Sequence, residues 1–147
     1  MASLISAEDI SSFTGDFQDL FDTFKRDILI YKEPKKIIQN INTNTYHGYG
    51  EAAQKTNFSY VPVFETHQAV ISYKDRQEAG QLDADVGLQY FAGDVRIKVD
   101  EAARNFISHG KTERIVIDGK DFNVLTEDAI KNFFGLKLYV FHLRFTK

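Results

Sequence analysis

The chain has 147 residues, a net charge of −3, 43% hydrophobic residues and no cysteine. That length suits one domain with a real core, and the apolar content excludes a disordered chain. The missing thiols exclude disulfides, iron–sulfur clusters, cysteine-based zinc sites and a cysteine nucleophile, and the acidic balance gives no global field for nucleic acid. No apolar run approaches the ~20 residues of a membrane-spanning helix. Residues 1–10 have neither a basic start nor a long apolar stretch, so no secretory signal is expected.

The N-terminal segment is acidic. Glu8, Asp9, Asp16, Asp19 and Asp22 precede the first Lys or Arg, whereas from Lys74 onward twelve acids face twelve bases. Ile10, Phe13, Phe17, Leu20, Phe21 and Phe24 recur at helical spacing, one apolar stripe with Asp16, Asp19 and Asp22 off it. Ser6 with Asp9 three residues on forms a weakened capping box. Gly15 costs ~1 kcal/mol inside a helix, so the segment is expected to divide into an arm and a helix from about 16 to 25. Its phenylalanines need a surface to bury against, either this chain's own sheet or a neighbouring subunit.

The rest reads as strands. Residues 27–32 form a β-branched and aromatic run that Pro34 is expected to stop, and residues 36–42 form a second run that could pair with it. Residues 60–64 contain Pro62, which points to an edge or a strand start, and residues 68–73 alternate loosely. Residues 94–99 alternate cleanly, with Val95, Ile97 and Val99 inward and Arg96 and Lys98 outward. Residues 100–107 hold good helix formers. Asp118-Gly119 between two apolar runs signals a hairpin, and residues 127–133 read as a helical turn. The run 136–145 has Tyr139, Phe141, Leu143 and Phe145 on one parity and Leu136, Leu138 and Val140 on the other. It therefore needs cover on both faces, from the N-terminal helix or another subunit.

The expected fold is mainly β: a small antiparallel barrel or sandwich with an N-terminal helix, one or two short helices and long loops. Residues 1–147 form a single domain, with an arm and helix over 1–25 and the barrel over 26–147. Long connections fall at about 43–59 and 74–93, and loops of that length are usually functional or disordered.

Catalytic chemistry is thin. His47, His67, His109 and His142 are scattered without metal-ligand spacing. Asp83-Ala84-Asp85 lacks the glycine and terminal glutamate of a calcium loop. There is no phosphate-binding glycine loop and no nucleophile elbow. No cofactor, metal or catalytic residue is expected, and an enzyme is the class with least support. Lys25, Arg26, Lys32, Lys35 and Lys36 cluster near Tyr31. Together with Tyr46 and Tyr49, this cluster could serve a monomeric barrel that binds a ligand or nucleic acid. A solvated, lysine-protected edge strand explains it more simply.

Three runs, in this order and spacing, resemble a known family. They are Thr23-Phe24-Lys25-Arg26-Asp27-Ile28-Leu29-Ile30-Tyr31-Lys32-Glu33-Pro34-Lys35-Lys36, then Val95-Arg96-Ile97-Lys98-Val99 with the Asp118-Gly119 hairpin over 112–124, then Phe134-Gly135-Leu136 leading into an aromatic strand. Over about two-thirds of the chain the pattern is similar to that of the head-completion proteins of tailed bacteriophages, the stopper or head-closure proteins of the neck. The resemblance implies a non-enzymatic β-barrel that forms a ring of identical copies in the virion neck, assembled in the host cytoplasm. Such a ring docks on a portal or adaptor ring, closes the filled head and meets a tail-side protein. DNA passes through its channel without sequence recognition, and no membrane is involved. On this reading Phe17, Phe21, Tyr139 and Phe141, with Tyr46 and Tyr49, are candidates for subunit or partner contacts. Asp83 and Asp85 are candidates for a channel-facing loop that repels DNA. A tail-terminator or tail-tube-type ring protein is the alternative within the same structural class.

Overall fold

A computed structural model describes residues 4–38, 58–74, 82–83, 88–89, 93–128 and 130–146. The chain runs α1 (Ala7–Phe24), β1 (Lys25–Ile38), β2 (Phe58–Tyr73), β3 (Leu82–Asp83), β4 (Leu88–Gln89), β5 (Val95–Val99), α2 (Glu101–Ser108), β6 (Thr112–Ile117), β7 (Lys120–Glu127), β8 (Lys131–Phe133) and β9 (Leu136–Phe145). Six strands pair in the order β5-β2-β1-β6-β7-β9, and β9 returns to β5, closing an antiparallel barrel. The mainly β fold with an N-terminal helix is thus the expected one, in its barrel form. Closure removes the open sheet edges that would otherwise template aggregation. β8 adds to β9 as an outer hairpin strand, and β3 and β4 pair separately.

Strand alternation fills the interior. Ile28 and Ile30 of β1, Val95, Ile97 and Val99 of β5, Ile115 and Ile117 of β6 and Phe122 of β7 are buried there. Tyr139, Phe141 and Leu143 of β9 join them, and Ala69 of β2 with Ala103 and Ile107 of α2 complete the cluster. Asp100 starts α2, its carboxylate accepting from the Ala103 amide at 2.9 Å. No basic residue lies in the last turn of α2. Lys32, pointing inward from β1, supplies that charge: its Nζ donates to the Ile107 carbonyl and to Thr112 Oγ1, both at 2.8 Å. A cation at a helix C-terminus complements the dipole and the unpaired carbonyls. Burial pushes the Lys32 ammonium pKa below its ordinary value.

Two hairpin turns are set by backbone geometry. Asp118 and Gly119 both have positive φ, 51° and 75°, the pairing a two-residue type I′ turn needs. Phe134 and Gly135 repeat it at φ 50° and 107°, and the Gly135 amide donates to Asn132 Oδ1 at 3.0 Å. The expected helical turn over 127–133 is therefore not formed; its last three residues are strand β8. Phe134 holds a conformation that costs an L-residue roughly 1–2 kcal/mol, and its ring stacks on Phe13 of α1 at 5.3 Å.

Three further expectations are corrected. Gly15 does not divide the N-terminal segment: α1 is continuous, with a complete capping box at Ser6 and Asp9. Contacts of Phe13, Thr14 and Phe17 with the β8–β9 turn outweigh the cost of one glycine. Pro34 does not stop β1. The ladder between β1 and β2 shifts register between Lys32 and Lys35, so Glu33 and Pro34 oppose Pro62 in a bulge. Both prolines sit where no ladder donor is required. The run 27–32 and the described part of the run 36–42, residues 36–38, are one strand, and so are 60–64 and 68–73; residues 39–42 lie outside the described residues. β1 pairs with β6 only over Leu29–Lys32, and β2 with β5 only over Ala69–Tyr73. Beyond those pairings the two strands continue as a two-stranded ribbon that leaves the barrel.

An added Cβ at Gly15 would meet nothing within 4 Å. Gly15→Ala is expected to stabilise the fold by about 0.5–1 kcal/mol in denaturant unfolding. A neutral or destabilising result would contradict a continuous, solvent-facing helix at this position.

Candidate interaction surfaces

α1 lies on the outside of the barrel, gripped near its middle by the β8–β9 turn and joined at its C-terminal end directly to β1. Thr14 Oγ1 donates to the Phe134 carbonyl at 2.7 Å. Phe17 is half-buried and meets Phe133 at 4.8 Å and Phe134 at 6.2 Å between ring centroids. One turn on, Phe21 is the only buried residue of the helix. Leu20 is 54% and Phe24 59% exposed. Between the C-terminal half of α1 and the barrel runs an apolar groove of about 260 Å³. Val70 of β2, Leu136 and Leu138 of β9 and the stem of Lys98 form its floor. Leu138 is the outward-facing neighbour of Tyr139, so the second cover expected for β9 comes in part from α1.

The second surface is the ribbon. Residues directly opposite in an antiparallel pair share a face. Tyr31 opposes Phe64, and Lys36 opposes Tyr60. Phe58, Tyr60 and Phe64 alternate along β2 on that same face. Tyr60 is 63% exposed, and Phe58 and Phe64 are exposed as well. The rings are held in place: Tyr31 and Phe64 lie 5.3 Å apart, the Arg114 guanidinium sits 4.7 Å over Tyr31, and Lys36 Nζ sits 3.5 Å over Phe58. Contiguous exposed apolar surface of this kind marks an interaction site.

The residues expected to make contacts separate into three groups. Phe17 and Phe21 sit under α1 as described. Tyr139 and Phe141 are corrected: they face the barrel interior at 7% and 2% exposure and offer no surface to a neighbour. Tyr46, Tyr49 and Asp85 lie outside the described residues. Asp83 lies on β3, opposite Leu88. Leu20 and Phe24 belong to the same helical stripe as Phe17 and Phe21, and only the fold shows that they are the ones left exposed. Tyr60 and Phe64 fall in the run 60–64 and Phe58 in the connection expected over 43–59, so nothing along the sequence marks the three as one face of a single strand.

The basic cluster does not form one patch. Lys25 pairs with Asp22 at 2.8 Å, which lowers the Asp22 pKa, chiefly through the Lys25 hydrogen bond. Arg26 pairs with Asp118, Lys32 points inward, and Lys35 and Lys36 fall on opposite faces of the ribbon. A hollow of about 280 Å³ lies beside Lys32, Phe106 and His109. Two of the three lysines that line it are engaged: Lys32 holds the end of α2, and Lys111 pairs with Glu33. The Glu33 hydrogen bond raises the Lys111 pKa.

Among the histidines, His67 lies 3.2 Å from Glu65 Oε2, and His109 Nδ1 lies 2.7 Å from the Asn105 carbonyl. His142 is buried, 3.4 Å from Asp128 Oδ2. Asp128 also accepts from Arg96 at 3.1 Å. Among the described residues no group of three or more His, Asp or Glu could hold a metal ion, and no helix is long and apolar enough to cross a membrane. Compared with known proteins, the chain matches no family model, no curated protein and no solved structure.

The contrast along α1 is testable. Phe21→Ala is expected to destabilise the fold by about 3–5 kcal/mol, as for a buried phenylalanine. Phe24→Ala is expected to cost under about 1 kcal/mol, as for a surface site, and to lower binding of a hydrophobic dye. Equal losses in denaturant unfolding would place Phe24 in the core rather than on an open groove.

Proposed function

We propose that this chain is a structural protein of a tailed-phage neck, one that forms a ring, closes the DNA-filled head and presents the joint for the tail. The observation that carries the reading is that, among the described residues, one copy leaves two separate apolar faces exposed, the α1 groove and the aromatic ribbon. A monomer gains nothing from either face, whereas a ring protein needs two. The order of the Lys-Glu-Pro strand, the Asp-Gly hairpin and the Phe-Gly-Leu step into an aromatic last strand supports the same reading. Its partners are copies of itself, a portal or adaptor ring on the head side, and a tail-side protein. DNA crosses the channel without being read, and the acidic pair Asp83 and Asp85 is the proposed repelling element there. Binding of nucleic acid by a monomer is less well supported, because the clustered lysines and arginines disperse once the chain is folded.

The test is fractionation of a lysate of the native source on a density gradient, followed by blotting for this chain. Co-migration with intact particles that survives a high-salt wash is expected. A chain that stays at the top as a free small protein, with particles present lower down, would overturn the proposal.

A further inference from the structure

The two uncovered faces differ in charge as well as position. α1 carries Glu8, Asp9, Asp16, Asp19 and Asp22 and no Lys or Arg. Asp16 is exposed and stands three residues after Phe13 and four before Leu20, which puts it on the rim of the apolar stripe. The ribbon segments 34–38 and 58–63 carry no acid and two lysines, of which Lys35 lies on the face away from the rings, and the adjoining Glu33 is paired with Lys111. Lys36 sits on the aromatic face, beside Tyr60 and Phe58. An acidic-rimmed apolar groove and a basic-rimmed aromatic stripe are complementary in both respects.

The groove also has the capacity. A cavity of roughly 150 Å³ accepts a benzene ring, and this groove holds about 260 Å³. One chain cannot make the contact with itself. Val70 in the groove floor and Tyr60 on the ribbon lie on the same extended strand, β2, ten residues and therefore about 33 Å apart.

We infer that the aromatic face of the β1–β2 ribbon of one copy seats in the α1 groove of the next, with Tyr60 or Phe58 entering beside Leu20 and Phe24 and Lys36 facing Asp16. Because the two faces are different patches, the contact is heterologous, and its repetition generates a closed ring or an open filament. This inference rests on the ring-forming reading above and assigns that ring its contact surfaces. The occupant of the groove is a second copy of this chain.

The absence of cysteine from the chain allows a clean test. Leu20→Cys and Tyr60→Cys are prepared as separate full-length variants; both positions are exposed, so both thiols are reachable. The variants are treated with a short bis-maleimide, singly and mixed, as concentrated protein and in the particle fraction. Linked dimers are expected in the mixture at several-fold higher yield than with either variant alone. Adding Asp16→Lys to the Leu20→Cys chain should lower that yield, and adding Lys36→Glu to the Tyr60→Cys chain should restore it. Linking as efficient in a single variant as in the mixture would overturn the pairing in favour of a symmetric contact. Absence of the 20–60 link in both preparations would also overturn it. If the chain still travels with particles in that case, the proposed function stands and only the contact assignment fails.

Discussion

Strand β9 must be buried on both faces, and much of the rest of the structure depends on that requirement. It pairs with β5 on one side and β7 on the other, so it is the strand that closes the barrel. Leu138 through Leu143 are all buried. The inward set, Tyr139, Phe141 and Leu143, fills the interior and is satisfied by closure itself. The outward set, Leu138, Val140 and His142, lies on the barrel exterior, where a strand would ordinarily carry solvated residues. Cover therefore has to come from outside the barrel. α1 supplies it over Leu138, and the Phe134-Gly135 turn, although strained at Phe134, pins α1 in place through Phe13, Thr14 and Phe17.

That arrangement leaves apolar surface over. The stripe on α1 is wider than the barrel surface that receives it. Phe21 is consumed by the contact, while Leu20 and Phe24 remain open. The ribbon poses the same problem for a different reason. Once β1 and β2 outrun their neighbours β6 and β5, they pair, among the described residues, only with each other, and a two-stranded ribbon has no core of its own to receive its aromatic rings. Both surpluses arise from how the barrel is built. Both are settled most directly when the barrel is one unit of a larger assembly, which is the physical ground for reading this chain as a ring component rather than a solitary binding module.

Much of this was legible in the sequence where local signals and tertiary structure agreed. The alternation at Val95, Ile97 and Val99, the Asp118-Gly119 turn, the short helix after Asp100 and the double-sided last strand all appear as read. Errors arose where packing or pairing overrode a local cost. Gly15 looked like a break because the grip of Phe134 on α1 spans more than a hundred residues. Pro34 looked like a stop because a bulge shared with Pro62 shows no signature along one strand alone. For β9, both parities are apolar, so composition does not say which face turns inward, and Tyr139 and Phe141 look as fit for a contact as Leu138 and Val140 do. The candidate site was only half visible. The helical stripe pointed to α1, but the ribbon face exists only when Tyr31, Lys36, Tyr60 and Phe64 are brought side by side by register.

Hydroxyl-radical footprinting of side chains, comparing the free chain with the assembled one, tests the central claim most directly. The account predicts that Leu20 and Phe24 on α1 and Phe58 and Tyr60 on the ribbon, reactive in the free chain, become protected together on assembly, while Tyr139 and Phe141 are protected in both states. Unchanged reactivity at both α1 and the ribbon in a verified assembly would contradict it.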